Sequence, residues 1–244
     1  MKRRKIIIIG ATSGIGYETA KIFQQSGWIV GLAGRRIEPL EELKLRKPAR
    51  THIRSIDITS EEAEQELAIL IDETGGMDVF FLCAGIGSQN LQLNPETELN
   101  TIGTNVYGFT RMMIAAYHFF EDHGQKGHIA AITSIAGTKG LGAAPAYSAT
   151  KGFQNLYLDA LEQLAYKQKL KISFTDIRPG FVNTDLLKNG NYPMLMQPDK
   201  VARTIFHAIT SKKRKKIIDW RYAVLVFFWR MIPTWIWKRF NAFN

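Results

Sequence analysis

The chain has 244 residues, 45% of them apolar and 22% charged, a net charge of +10 and a single cysteine, Cys83. That composition suits one large core, excludes an internal disulfide framework and, with five histidines in no HExxH or Cys/His ligand spacing, gives no reason to expect a metal. An intracellular, cytoplasmic, metal-free protein is the expectation, and with no Pro/Ser-rich linker or repeat to divide it, residues 1–244 read as one domain.

The chain opens on Lys2, Arg3, Arg4 and Lys5, followed by only four apolar residues before Gly10, too few for the apolar core of a signal peptide. β-rich runs at 6–9, 28–33, 53–57, 77–82, 128–133, 171–177 and 216–219 alternate with helical patterns at 15–26, 37–46, 60–74, 98–122, 145–169 and 198–211. This alternation predicts a doubly wound α/β fold, a parallel sheet with helices on both faces. Ligands of such sheets bind beyond the carboxyl ends of the strands, so the residues just after each strand carry the functional information.

After the first strand comes GATSGIG, with Gly10, Gly14 and Gly16. Glycines there permit a tight turn and close approach of backbone to a pyrophosphate, while the N-terminus of the following helix attracts its charge. After the second strand, GLAGRR lacks the acidic residue that would bind the ribose 2′-hydroxyl of NAD. It offers Arg35 and Arg36, whose guanidinium forks suit a 2′-phosphate, so NADP(H) is predicted over NAD(H). Further along, PAYSATKGF places Tyr147 and Lys151 one turn apart on a helix opened by Pro145. Positions i and i+4 share a face, and a cation beside a phenol favours phenolate, so this tyrosine is expected to have a lowered pKa and to trade protons with a substrate oxygen.

Taken in order, GATSGIG, DIT at 57–59, CAG at 83–85, TNVYG at 104–108, TSIAG at 133–137, YSATK and RPGFVNTDL at 178–186 resemble the short-chain dehydrogenase/reductase family in its compact single-domain form. The resemblance spans about Lys5 to Asp219. It implies a seven-stranded Rossmann sheet in the order 3-2-1-4-5-6-7 and a tetrad of Asn105, Ser134, Tyr147 and Lys151. In that tetrad Tyr147 is the general acid or base, and Lys151 lowers its pKa and holds the nicotinamide ribose. Ser134 bonds the reacting oxygen, and Asn105 positions a water linking Lys151 to solvent. It also implies cofactor contacts from Thr12, Ser13 and Ile15 in the glycine turn, from Asp57 and Ile58 at the adenine, from Ala84 and Gly85 at the ribose, and from Pro179, Gly180, Val182 and Thr184 at the nicotinamide. The chain departs from the family at Ile9, where Thr is common, and before Gly85, where Asn-Asn or Asn-Ala is common and this chain reads LCAG. Cys83 reads as a small packing residue.

Residues 186–197 follow the nicotinamide loop, and in the related enzymes this segment caps the substrate. Leu186, Leu187, Met194, Leu195 and Met196 point to an apolar substrate; Ser134 and Tyr147 would face its reacting group. The last part, 220–244, is an aromatic extension beyond the 1–219 core. Four of the five Trp lie between 220 and 237, Pro233 divides two short helices, and Arg221, Arg230, Lys238 and Arg239 flank them. Three placements are open for 221–240: a peripheral membrane contact, a dimer contact or pocket wall, or ordinary core. Residues 212–244 carry nine Lys/Arg against Asp219 alone, leaving 6–211 slightly acidic. No groove-reading motif accompanies the charge, so nucleic acid is not an expected partner. Related enzymes form homodimers or homotetramers on the helices of 98–122 and 145–169, and the same is expected here. The activity implied is interconversion of a ketone or aldehyde with an alcohol on a small to mid-sized apolar molecule. The alternative is a non-catalytic NADP(H)-binding sensor that keeps the fold.

Overall fold

The computed structural model describes residues 3–187 and 192–239. Seven parallel strands, β1 Lys5–Ile9, β2 Ile29–Gly34, β3 Thr51–Ser55, β4 Val79–Leu82, β5 Gly127–Ile132, β6 Ile172–Arg178 and β7 Lys215–Ile217, form one sheet. Their order is β3-β2-β1-β4-β5-β6-β7, as expected, so the winding reverses between β1 and β4. The central strands read as unbroken apolar runs, IIII in β1 and VFFL in β4, because both sheet faces are covered. Alternate residues of each run then serve opposite cores. Ile6 and Ile8 join Phe23, Leu32 and Ile205 on one face, while Ile7 and Ile9 join Phe80, Phe109 and Phe120 on the other.

The covering helices are α1 Gly14–Gln25, α2 Glu38–Arg46, α3 Ala63–Glu73, α4 Pro95–Ile102, α5 Phe109–Asp122, α6 Pro145–Lys167 and α7 Pro198–Thr210. Pro95, Pro145 and Pro198 each open a helix, where the missing N–H costs nothing. The helix expected over 98–122 differs in detail: α4 and α5 are joined by a wide π turn, Gly103–Gly108. Within it Asn105 turns inward, its Oδ1 accepting from Ile86 N (2.9 Å) and its Nδ2 donating to Ile86 O (2.7 Å). Such a widened turn depends on long-range bonds, which hydrophobic periodicity does not encode. The strand expected at 53–57 runs two residues earlier, since Asp57 leaves the sheet to accept from Thr59 N and Oγ1.

The chain then adds α8 Trp220–Met231 and α9 Thr234–Trp237, divided at Pro233 as expected. Tyr222 is fully buried and packs on Gly180, and Val226 and Trp229 join the core beneath it. Core alone therefore does not describe the tail, because its other side is uncovered. No described helix is long and apolar enough to cross a membrane.

Candidate functional site

Every motif taken from the sequence except the tail converges on the carboxyl edge of the sheet. Gly10 follows β1 with φ +92°, a conformation natural to glycine, and a Cβ there would lie 2.5 Å from the backbone nitrogen of Ala84 beyond β4. A Cβ at Gly16 would strike the carbonyl of Gly10, so the turn and α1 pack backbone to backbone. Gly14 faces Thr184, whose methyl would sit 2.9 Å from an added Cβ, so the glycine turn and the loop after β6 meet. The result is a bare-backbone cradle over the first turn of α1, with Thr12, Ser13 and Ile15 in it. Beside it Arg36 donates to Thr12 O (3.3 Å), and both Arg35 and Arg36 are exposed after β2. Burial pushes the Asp57 carboxyl up, but bonds from Thr59 and the charge of Arg35 outweigh it and hold the group below its ordinary range. Ile58 is buried against Gly108. A glycine-rich turn, a helix N-terminus and two exposed guanidinium groups fit the phosphates of a dinucleotide.

Across the switch point lie Ser134, Tyr147 and Lys151. Ser134 follows β5, its hydroxyl accepting from Ala136 N (3.0 Å). Tyr147 and Lys151 stand in the first two turns of α6. Glu98 of α4 accepts from Ala146 N (2.9 Å) and so caps the N-terminus of that helix from a distance, while its other oxygen accepts from Asn90 Nδ2. The ring of Tyr147 lies against the backbone of Gly87, where any side chain would collide. Desolvation raises the pKa of the half-buried Tyr147 phenol, opposed by its hydrogen bond with Ser134. This corrects the expectation that Lys151 lowers it. The ammonium sits 5.7 Å from the ring centroid and is turned to Ile132 O (3.3 Å) and Gln154 Oε1 (2.9 Å), so burial of the phenol dominates. Lys151 itself is pulled down to about 8 by burial, with the charge of Asp176 opposing. Burial pushes the Cys83 thiol up to about 12, which leaves it a packing residue.

Gln154 was not singled out in the sequence. It is fully buried, and its amide bridges Lys151 Nζ to the backbone carbonyl of Asn105, donating to that oxygen from Nε2 (2.8 Å). A side chain thus joins Lys151 to the backbone of Asn105. The signal existed in the i+3 spacing from Lys151, which puts both on one helix face. Tyr222 is the other missed residue: its hydroxyl donates to Pro193 O (2.8 Å) and accepts from Phe181 N (3.2 Å), tying the tail to the loop that carries Pro179, Gly180 and Val182.

A cleft of about 260 Å³ opens beside the Tyr147 ring, bounded by Ile86, Gly87, Thr97, Thr101, Asp185 and Leu186. Leu187 donates to Thr184 O, and Met194 packs on the core beneath Tyr222 rather than in the cleft. Residues 188–191 of the segment expected to cap the substrate lie outside the described residues. Among the described residues no group of three or more His, Cys, Asp or Glu is placed to hold a metal ion.

A phosphate-fitting turn on one strand, facing a serine, tyrosine and lysine on the next elements across the switch point, defines a class: oxidoreductases of the nucleotide-binding doubly wound type. The chain belongs to the short-chain dehydrogenase family, whose profile matches residues 4–193. An uncharacterised oxidoreductase of Staphylococcus haemolyticus is 32% identical over 214 residues, covering 85% of this chain and 91% of the relative. Among solved structures, a 3-ketoacyl-(acyl-carrier-protein) reductase from Brucella melitensis complexed with NADH superposes with a TM-score of 0.79 at 25% identity, covering 88% of this chain and 96% of that one. An alcohol dehydrogenase from the archaeon Thermococcus sibiricus complexed with 5-hydroxy-NADP gives 0.77 at 21% identity, with coverage of 89% and 96%.

Proposed function

We propose that this oxidoreductase interconverts a carbonyl and an alcohol on an apolar substrate with NADP(H). The observation that carries the reading is the Tyr147 phenol, bonded to Ser134 and set against Gly87 at the edge of the cleft. The glycine turn from Gly10 to Gly16 would hold the cofactor at its pyrophosphate and Arg35 and Arg36 at a 2′-phosphate. Asp57, Ile58, Ala84 and Gly85 would flank its adenosine, and Pro179, Gly180, Val182 and Thr184 its nicotinamide. When bound, NADP(H) supplies or accepts the hydride.

The chain's own residues manage the proton. A phenol raised by burial above its ordinary range stays protonated, so Tyr147 is a ready donor to the substrate oxygen in the reductive direction and accepts the proton in reverse. Ser134 donates to the same oxygen as its charge develops. The Lys151 ammonium, held by Gln154, would hold the hydroxyls of the nicotinamide ribose. Ile86 and Leu186 give the cleft an apolar wall beside the polar Ser88, Thr97, Asn100, Thr101 and Asp185, which fits an apolar substrate that also carries a polar group. A homo-oligomer built on α5 and α6 is supported by Ile114, Leu156 and Leu164, which lie exposed on their outer faces.

The test follows NADPH absorbance across aliphatic, aromatic and steroidal ketones with the wild type and Tyr147→Phe. The expected result is turnover that falls by roughly 100- to 10,000-fold in the variant, the usual contribution of a positioned acid. NADPH should also bind more tightly than NADH; equal affinities remove the role given to Arg35 and Arg36. Tight NADPH binding without turnover of any ketone overturns the catalytic reading in favour of a cofactor-binding sensor.

A further inference from the structure

Helix α8 is apolar on two opposite sides, yet only one is covered. Tyr222, Val226 and Trp229 face the core. Trp220, Val224, Phe227, Phe228 and Met231 point the other way, with Trp220 75%, Phe227 63% and Phe228 58% exposed. A helix apolar all round belongs inside a protein or against lipid, and a contiguous exposed patch of this kind marks an interaction surface. At 3.6 residues per turn, Arg221 and Arg230 fall on the two flanks of the exposed stripe. Beyond Pro233 the exposed Trp235 is followed by the cations Lys238 and Arg239. No acidic residue occurs after Asp219, and Asp219 is itself paired with Arg221 (2.6 Å).

The charge decides between occupants. A second copy seated on this face would bring its own Arg221 and Arg230 against these, and like charges meeting across an interface oppose it. An anionic surface neutralises them, and aromatic side chains between cations are suited to the boundary of headgroup and acyl chain. We propose that the outward face of α8 docks on an anionic lipid bilayer. Because α8 follows β7, it stands at the carboxyl edge of the sheet, beside the site, whereas Arg3 and Arg4 before β1 and Lys212 and Lys213 before β7 stand at the opposite edge. Hydrogen bonds fasten the tail to the rim, among them Tyr222 to Pro193 O, Lys139 Nζ to Ile232 O (2.8 Å) and Trp237 Nε1 to Gly140 O (2.8 Å). Docking therefore brings the rim of the site to the membrane. Resting on the function proposed above, the substrate is then an amphiphilic lipid whose carbonyl or hydroxyl is reached from the bilayer.

The experiment sediments the full chain with phosphatidylcholine vesicles and with phosphatidylcholine–phosphatidylglycerol vesicles, at low and high salt. The wild type is expected to bind the anionic vesicles at least about tenfold more than the neutral ones, weakening as salt rises. The double variant Phe227→Glu/Phe228→Glu, whose changes are at exposed positions, should lose that binding while keeping its circular dichroism and melting temperature. Equal sedimentation of the two proteins, or none by the wild type, overturns the proposal. So does a wild-type dimer that the double variant dissolves, since the face then belongs to a second copy. Turnover of a soluble ketone without vesicles is measured in parallel. Vesicle binding with no turnover supports the docking and removes only the lipid-substrate half, whereas turnover without vesicle binding leaves the enzyme reading intact and removes the docking.

Discussion

Gln154 stands between Lys151 and the Asn105 carbonyl, and its effect on the site is electrostatic as well as steric. Its Oε1 accepts from the ammonium and favours the charged lysine, offsetting part of the burial that draws Lys151 down to about 8. If the charged form is the active one, activity falls as pH rises through that value. Gln154→Leu removes the acceptor, so the alkaline limb of kcat/KM against pH should move to lower pH. Gln154→Glu places a carboxylate there and should move the limb up. A limb that stays put in both variants, with only the maximum rate altered, would reduce Gln154 to a packing role. Lys151 is also within reach of the charge of Asp176, which is fully buried and bonded to Thr133 (2.6 Å) and Arg178 (2.5 Å), so the site's charge is set partly from inside the sheet.

Among the elements, the pairing of β5 with β6 carries a buried titratable group. His128 bonds Thr175 Oγ1 (2.8 Å) and is pulled down to about 4 by burial and, secondarily, by Lys212. Its unfolded value is about 6.5, so as pH falls below that point the unfolded chain takes up a proton that the folded chain refuses. Stability from this group is full above pH 6.5 and is lost between about 6.5 and 4, on the order of 3 kcal/mol in all. Chemical denaturation of the wild type across that window should show the loss, and His128→Gln should flatten it. Similar slopes in both proteins would place the acid sensitivity elsewhere. The helices supply a second lesson: α6 is pre-set by Pro145 but capped by Glu98 from α4, a partner 48 residues away.

For the whole molecule, two apolar surfaces point outward at different places, one on α5 and α6 and the other on α8. On α6, Leu156 is 71% exposed, and Leu164, two turns on, shares its face. If the first surface joins copies and the second meets lipid, the two should separate genetically. Light scattering of Leu156→Glu/Leu164→Glu is expected to report a smaller species than the wild type, while Phe227→Glu/Phe228→Glu leaves the size unchanged. The reverse pattern would exchange the roles of the two surfaces.

By itself the sequence determined the alternation of strands and helices, the strand order through its family motifs, and which residues gather after the strands, because a parallel sheet brings every post-strand loop to one edge whatever lies between them. Gly10 and Gly16 were legible for the same local reason, since backbone that must touch backbone leaves no room for a side chain. What only the tertiary structure decided were contacts between residues distant in the chain. The π turn of Asn105 is held by Ile86, α6 is capped by Glu98, and Tyr222 joins the aromatic tail to Gly180 and the loop at 193–194. The direction of the Tyr147 shift belongs to the same group. Sequence spacing put Lys151 beside the phenol, but burial and the competing pull of Gln154 depend on what surrounds both groups, and that is fixed only when the helices pack on the sheet.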